Sequence, residues 1–130
     1  MIIGIGTDLC DIRRIGNLLD KFGERFAEKI FTDAERRHVQ KQSDHASSYA
    51  KRFAAKEAVA KALSGHKTGA LTWHSVEVVN SPSGKPAIIL RADALKRAKA
   101  HLQKDQDFRI HLSLSDDYPY ALAYAIFEAA

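Results

Sequence analysis

The sequence has a single cysteine, Cys10, so no intramolecular disulfide is possible, and the grouped cysteines of a structural zinc site are missing. No apolar run approaches the ~18 residues of a membrane span. Met1-Ile2-Ile3-Gly4 lacks the basic start and long apolar stretch of a secretion signal. The expectation is a soluble, cytoplasmic protein. There is no internal repeat, low-complexity tract or linker. With 45% hydrophobic and 28% charged residues, the chain is too apolar for a disordered tail, and its 130 residues suit one core. Residues 1–130 are therefore expected to form a single domain. Lys and Arg number 20 against 16 Asp and Glu, a formal charge of +4, and the pI is near 9.3. That balance points to an acidic partner, and it suits nucleic acid, a phosphorylated small molecule or an acidic protein alike.

Local patterning divides the chain into helices and strands. Ile2-Ile3-Gly4-Ile5-Gly6-Thr7-Asp8 opens on β-branched residues and then places two glycines before a carboxylate. This predicts a strand with a close backbone approach near its end and Asp8 at the exit. From Ile12, apolar residues keep helical spacing through Phe26, with an interruption around Gly23, and the helix exposes Arg13 and Arg14. Thr32-Asp33-Ala34-Glu35 has the form of a capping box at the start of a short polar helix. Ser47 to Leu63 is rich in alanine and charge and free of Gly and Pro, which predicts a helix capped by Gly65 and followed by a loop from His66 to Ala70. Trp73 to Asn80 and Pro86 to Arg91 are two expected strands of a hairpin, and Ala92 to Gln103 an amphipathic helix. In the last third, Phe108, Ile110, Leu112 and Leu114 alternate with Arg109, His111, Ser113 and Ser115. This is a strand with one apolar and one polar face, and a turn at Asp116–Pro119 leads to a final strand from Tyr120 to Phe127. Local helices mixed with antiparallel strands predict an α+β domain.

Several residues have the chemistry for a site. On the Ser47–Leu63 helix, Tyr49, Phe53, Ala60 and Leu63 fall on one side, with Glu57 at the edge of that stripe and Lys56 toward its middle. Lys61 is four residues beyond Glu57, so the two form either a helix-stabilising ion pair, with Lys56 snorkelling to water, or part of a charged site. Asp8 at a strand end is either the N-cap of the next helix or a hard oxygen ligand that joins Glu57. Two carboxylates suit Mg²⁺, which keeps several waters and is commonly completed by substrate phosphates. The polar face with His111, Ser113 and Ser115 either lines a pocket or is a solvated strand face, and Lys85 in the Ser83–Pro86 turn is placed to meet a phosphate.

Three blocks together are more specific than any one of them. Ile3-Gly4-Ile5-Gly6-Thr7-Asp8-Leu9-Cys10-Asp11-Ile12, then Lys51-Arg52-Phe53-Ala54-Ala55-Lys56-Glu57-Ala58-Val59-Ala60-Lys61-Ala62, then Gly84-Lys85-Pro86, resemble the small bacterial holo-acyl-carrier-protein synthases of the 4′-phosphopantetheinyl transferase superfamily. The order and spacing fit through the last strand. The resemblance implies the 4′-phosphopantetheinyl transferase fold, with an antiparallel sheet packed with helices. It also implies transfer of 4′-phosphopantetheine from coenzyme A to a serine of an apo acyl carrier protein, releasing adenosine 3′,5′-bisphosphate, within fatty acid biosynthesis. It makes Asp8 and Glu57 ligands of Mg²⁺. Lys61 would neutralise the pyrophosphate and assist the leaving phosphate, and Glu57, then Asp8, would be candidates to accept the serine proton. Arg14 would dock the acidic carrier helix. Arg52, Lys85 and His111 become candidate contacts to coenzyme A phosphates, with Gly84-Lys85-Pro86 near the adenine. The family is similar to a homotrimer with active sites between subunits. Cys10 and Asp11 stand where the family commonly has a bulky residue or glutamate, a conservative departure.

Two other readings compete. A small basic nucleic-acid-binding module would explain the pI and the Lys51, Arg52, Lys56 and Lys61 cations of one helix. It lacks exposed aromatics interleaved with those cations, and Glu57 would repel a phosphate backbone. An inactive, interaction-only relative is the other, against which Asp8, Glu57 and Lys61 all stand.

Overall fold

The computed structural model describes residues 1–64 and 71–130, so the expected Gly65 cap and the His66–Ala70 loop lie outside the described residues. Among the described residues, five strands and five helices run in the order β1 (Ile2–Asp11), α1 (Ile12–Phe22), α2 (Glu24–Ile30), α3 (Asp33–Gln40), α4 (His45–Ser64), β2 (Val76–Asn80), β3 (Pro86–Leu90), α5 (Ala92–Lys99), β4 (Phe108–Asp117) and β5 (Tyr120–Ala129). The fold is α+β with antiparallel pairing throughout, divided between a three-stranded sheet ordered β1-β5-β4 and a separate β2-β3 hairpin.

Most local expectations hold. Gly23, at a φ of 58°, separates α1 from α2. The Thr32 hydroxyl accepts from the Glu35 amide and the Glu35 carboxylate accepts from the Thr32 amide, so the capping box forms. Several boundaries differ: α4 starts at His45 and not Ser47, and β4 runs on to Asp117 through part of the expected turn. β1 runs on to Asp11, so Asp8 lies inside the strand and not at its exit, and the N-cap of α1 is Asp11, whose carboxylate accepts from the Arg13 amide. Trp73–Ser75 is a short 3-10 turn instead of strand, because both the Ser75 amide and its hydroxyl donate to the Thr72 carbonyl. The fifth helix ends at Lys99, where His101 and Leu102 donate to carbonyls three residues back and tighten the chain into turns. The final strand continues past Phe127 to Ala129.

α4 is the centre of the molecule. It packs on β1 and β5 and also touches β2 and α1, so it is buried nearly all round. The half-open strip that remains runs through Phe53, Glu57, Ala60 and Lys61. This splits the expected stripe: Tyr49 and Leu63 are buried as expected, but Phe53 and Ala60 are only partly buried and Glu57 sits between them.

Small residues let helix and sheet approach closely. Ala58 and Ala62 of α4 are buried, as are Ala121, Ala123 and Ala125 of β5. A Cβ built on Gly4 would stand 1.9 Å from the Ala62 carbonyl oxygen, and one on Gly6 would stand 1.8 Å from that of Ala58. Both obstacles are backbone, so the helix itself would have to move. Gly6→Ala is therefore expected to destabilise the fold by about 1–3 kcal/mol or more. It should also lower any activity that needs β1 and α4 in register. Thermal melting and a rate assay on the purified variant check both.

Candidate active site

The β1–α4 crossing brings Asp8 beside Lys61. The Lys61 ammonium donates to the Thr7 carbonyl at 2.8 Å and to Asp8 Oδ1 at 3.4 Å, and its side chain stays half exposed. Lys61 therefore pairs across to the strand, not along the helix with Glu57 as helical spacing suggested. Burial pushes the Asp8 carboxyl up, against Lys61 and Arg14. Burial, and then the negative charge of Asp8, push Glu57 up, with Lys61 and Arg14 again opposing. Two desolvated carboxylates that remain raised beside two cations are short of positive charge. The donor set fits Mg²⁺: two hard oxygens, with no cluster of three His, Cys, Asp or Glu among the described residues, leave positions for water and phosphate.

Arg14 stands at the same opening. Its guanidinium lies 5.4 Å from the centre of the Phe53 ring, which in turn stacks at 5.2 Å on Trp73. Beside it, Leu18, Phe22 and Phe26 floor a groove of about 390 Å³ rimmed by Arg25 and Lys29.

A second cluster lies on another flank of α4. Arg52 is five residues from Glu57, about 140° of helical rotation away. It faces a cleft of about 290 Å³ that Gly84 and Pro86 of the hairpin also line. His38, Gln42, Ser48 and Lys51 line it too, and of these only Lys51 belongs to the Lys51–Ala62 motif. Ser48 was detectable, being four residues before Arg52 on the helix, and its hydroxyl accepts from Arg52 Nη1 at 3.0 Å. Burial pulls His38 below its ordinary value, as do the charges of Arg52 and Lys41. Lys85 is exposed in the turn.

His111 is in neither cluster. It lies on the outer face of the three-stranded sheet, with its Nε2 2.9 Å from a Glu128 carboxylate oxygen. That face carries exposed apolar side chains, including Ile5, Leu9, Leu122 and Tyr124.

The four cations of α4 do not form a solvated stripe. Lys51 pairs with Asp116 at 3.5 Å, Arg52 and Lys56 are buried, and Lys61 is held by β1. Lys56 does not snorkel: it is 2% exposed and pairs with the buried Glu35 at 2.8 Å.

Residues 4–123 match the pattern of the 4′-phosphopantetheinyl transferase superfamily. The chain belongs to that superfamily. It is 55% identical over 130 residues to the holo-[acyl-carrier-protein] synthase of Caulobacter vibrioides (strain NA1000 / CB15N), covering 99% of this chain and 97% of that one. Among solved structures, it is similar to the holo-[acyl-carrier-protein] synthase of Neisseria meningitidis, with a TM-score of 0.81, 35% identity and coverage of 98% and 99%. It also resembles the Bacillus anthracis synthase in complex with CoA (3′,5′-ADP), with a TM-score of 0.76, 34% identity and coverage of 100% and 99%. In this member of the superfamily, α4 carries charged side chains at the β1 crossing, under the hairpin and in the buried Lys56–Glu35 pair. Among the described residues, no helix is long and apolar enough to cross a membrane.

Proposed function

We propose that this chain is a Mg²⁺-dependent holo-[acyl-carrier-protein] synthase, which transfers 4′-phosphopantetheine from coenzyme A to a serine hydroxyl of an apo acyl carrier protein. The observation that carries the reading is the meeting of Asp8, Glu57 and Lys61 at the β1–α4 crossing, in a chain similar to such synthases over its whole length. The serine oxygen forms a bond to the β-phosphorus of coenzyme A as the bond to adenosine 3′,5′-bisphosphate breaks. Alignment and charge neutralisation do most of the work in such a transfer.

Asp8 and Glu57 hold the metal, which supplies positive charge to the pyrophosphate when bound. Glu57, on the open strip of α4, is the first candidate to accept the serine proton, and Asp8 is the second. Lys61 offers an exposed ammonium to the departing phosphate. Arg52, with Lys85 and the Gly84–Pro86 backbone, receives coenzyme A phosphates and adenine.

His111 completes a site only if another copy supplies it. We therefore place the active sites between subunits of a homotrimer, in which the outer sheet face is covered; Leu9 on that face is 62% exposed in the single chain. We place the reaction in the cytoplasm, in fatty acid biosynthesis.

The carrier docks at Arg14 and the neighbouring Leu18–Phe22–Phe26 groove, whose apolar floor and basic rim suit an acidic amphipathic helix. Arg14→Ala is expected to raise KM for the carrier roughly tenfold, the loss of about 1.4 kcal/mol, and to change KM for coenzyme A much less. Steady-state kinetics with each substrate varied in turn checks this.

Intact-mass spectrometry tests the reading as a whole. An apo acyl carrier protein incubated with this protein, coenzyme A and Mg²⁺ should gain one phosphopantetheine group, and none when EDTA is added. Coenzyme A binding without transfer to any of several carriers would point to a different acceptor, and transfer undiminished by EDTA would remove the metal.

A further inference from the structure

Arg52 is a buried guanidinium with no carboxylate in ion-pair contact among the described residues. It is 5% exposed, and its Nε has no hydrogen-bond partner. Its other nitrogens are held by neutral groups. Nη1 donates to the Ser48 carbonyl at 3.3 Å and to the Ser48 hydroxyl at 3.0 Å, and Nη2 donates to Asn80 Oδ1 at 3.1 Å. The guanidinium keeps its full charge for an incoming anion.

The two holders differ in what they fix. Ser48 lies one turn before Arg52 on α4, so it orients the guanidinium against its own helix. Asn80 is the last residue of β2, and its Nδ2 donates to the Gly84 carbonyl at 3.1 Å. The turn it braces is closed by the Gly84 amide donating to the Ser81 carbonyl at 2.8 Å and the Ser81 amide donating to the Lys85 carbonyl at 2.9 Å. One side-chain amide thus spans the gap between a helix-borne cation and a hairpin turn, both of which line the same cleft.

We propose that Asn80 is the positioning residue of the coenzyme A site: its oxygen holds Arg52 and its nitrogen holds the turn, so that the phosphate-binding group and the hairpin backbone meet the co-substrate at a fixed separation. The proposal rests on the coenzyme A reading of this cleft. An amide suits the role because it accepts and donates at once without adding charge. A carboxylate in its place would still accept from Arg52 but would neutralise it and abandon Gly84.

The test compares Asn80→Ala with Asn80→Asp in the otherwise intact chain. It measures KM for coenzyme A and for the apo carrier, kcat, coenzyme A binding by calorimetry, and melting temperature. Asn80→Ala should raise KM for coenzyme A roughly tenfold, and Asn80→Asp should raise it further because the new carboxylate competes with phosphate for Arg52. KM for the carrier and the melting temperature should stay near the wild-type values, since Asn80 is exposed. A residue that only braces the turn would give equal losses in both variants, because both lose the bond to Gly84. Equal losses, an unchanged KM for coenzyme A, or an effect confined to kcat or melting would overturn the proposal. Wild-type protein that binds no coenzyme A would instead remove the reading on which it rests.

Discussion

Glu57→Gln is expected to lose about a thousandfold or more in transfer rate while melting no lower than the wild type at pH 7. The rate loss follows from removing, in one isosteric change, a metal ligand and the leading candidate for proton acceptance. The melting behaviour follows from electrostatics. Burial, and then the charge of Asp8, raise the Glu57 carboxyl in the folded chain. The unfolded chain releases that proton at lower pH, so the folded state is penalised as pH climbs from the ordinary carboxylate range to the raised value, and the penalty persists above it. A neutral amide at position 57 carries no such penalty. Scanning melts at pH 7 should therefore show the variant equal to or above the wild type, with the difference closing below about pH 4, where the wild-type carboxyl is protonated in both states. Added Mg²⁺ should raise the wild-type melt and leave the variant's nearly unmoved. Asp8→Asn should lose activity to a similar degree, but it also weakens the contact to Lys61, so it is the poorer probe of stability. A Glu57→Gln variant with near-normal turnover would remove Glu57 from the site.

Lys56→Met is expected to cause the largest loss of stability: about 3–5 kcal/mol, by the rule for breaking one side of a buried ion pair. Lys56 and Glu35 are 2% and 1% exposed, and their charged atoms stand 2.8 Å apart. The lysine also donates to the Trp73 and Val76 carbonyls. Glu35 accepts from the amides of Thr32 and Val78, each at 2.8 Å, so its carboxylate is tied to α3, α4 and β2 at once. Removing the ammonium leaves that charge stranded away from water and two carbonyls without their donor. A drop of roughly 10–20 °C in melting temperature would correspond to this loss. Adding Glu35→Gln to Lys56→Met should recover part of it, because no net charge then remains buried. Urea melts of the four species give the coupling directly, and independent, additive losses would show that the pair does not act together.

The difference between these two positions also explains what the sequence could reveal. Gly4 and Gly6 in a β-branched strand are a local signal, and the close approach they imply is where the structure places α4. The capping box at Thr32 is equally local, and so is the break at Gly23. Lys56 was misread because its partner, Glu35, belongs to another helix and already had a sufficient role as a cap. Periodicity likewise misplaced Phe53 and Ala60, because it assumes one buried side, whereas α4 is packed by strands and helices around most of its circumference. The pairing of Lys61 with Asp8 depends on how a strand crosses a helix, and no spacing rule contains that. His38, in α3, and Gln42, just beyond it, reach the cleft through the way α3 packs on α4, which no periodic pattern within either segment contains.

β5 lies between β1 and β4, yet it is the last strand of the fold to leave the ribosome. Until Tyr120–Ala129 emerges, β1 has no neighbour in its sheet, and Asp8, which sits opposite Ala123, waits on an unpaired ribbon. A nascent chain can thus carry Asp8, Glu57 and Lys61 before the strand that bears Asp8 has a partner in its sheet. Filling the centre of the sheet comes first, and any assembly between copies can only follow it. A stalled or clipped product lacking β5 should be cleared as an unfolded chain.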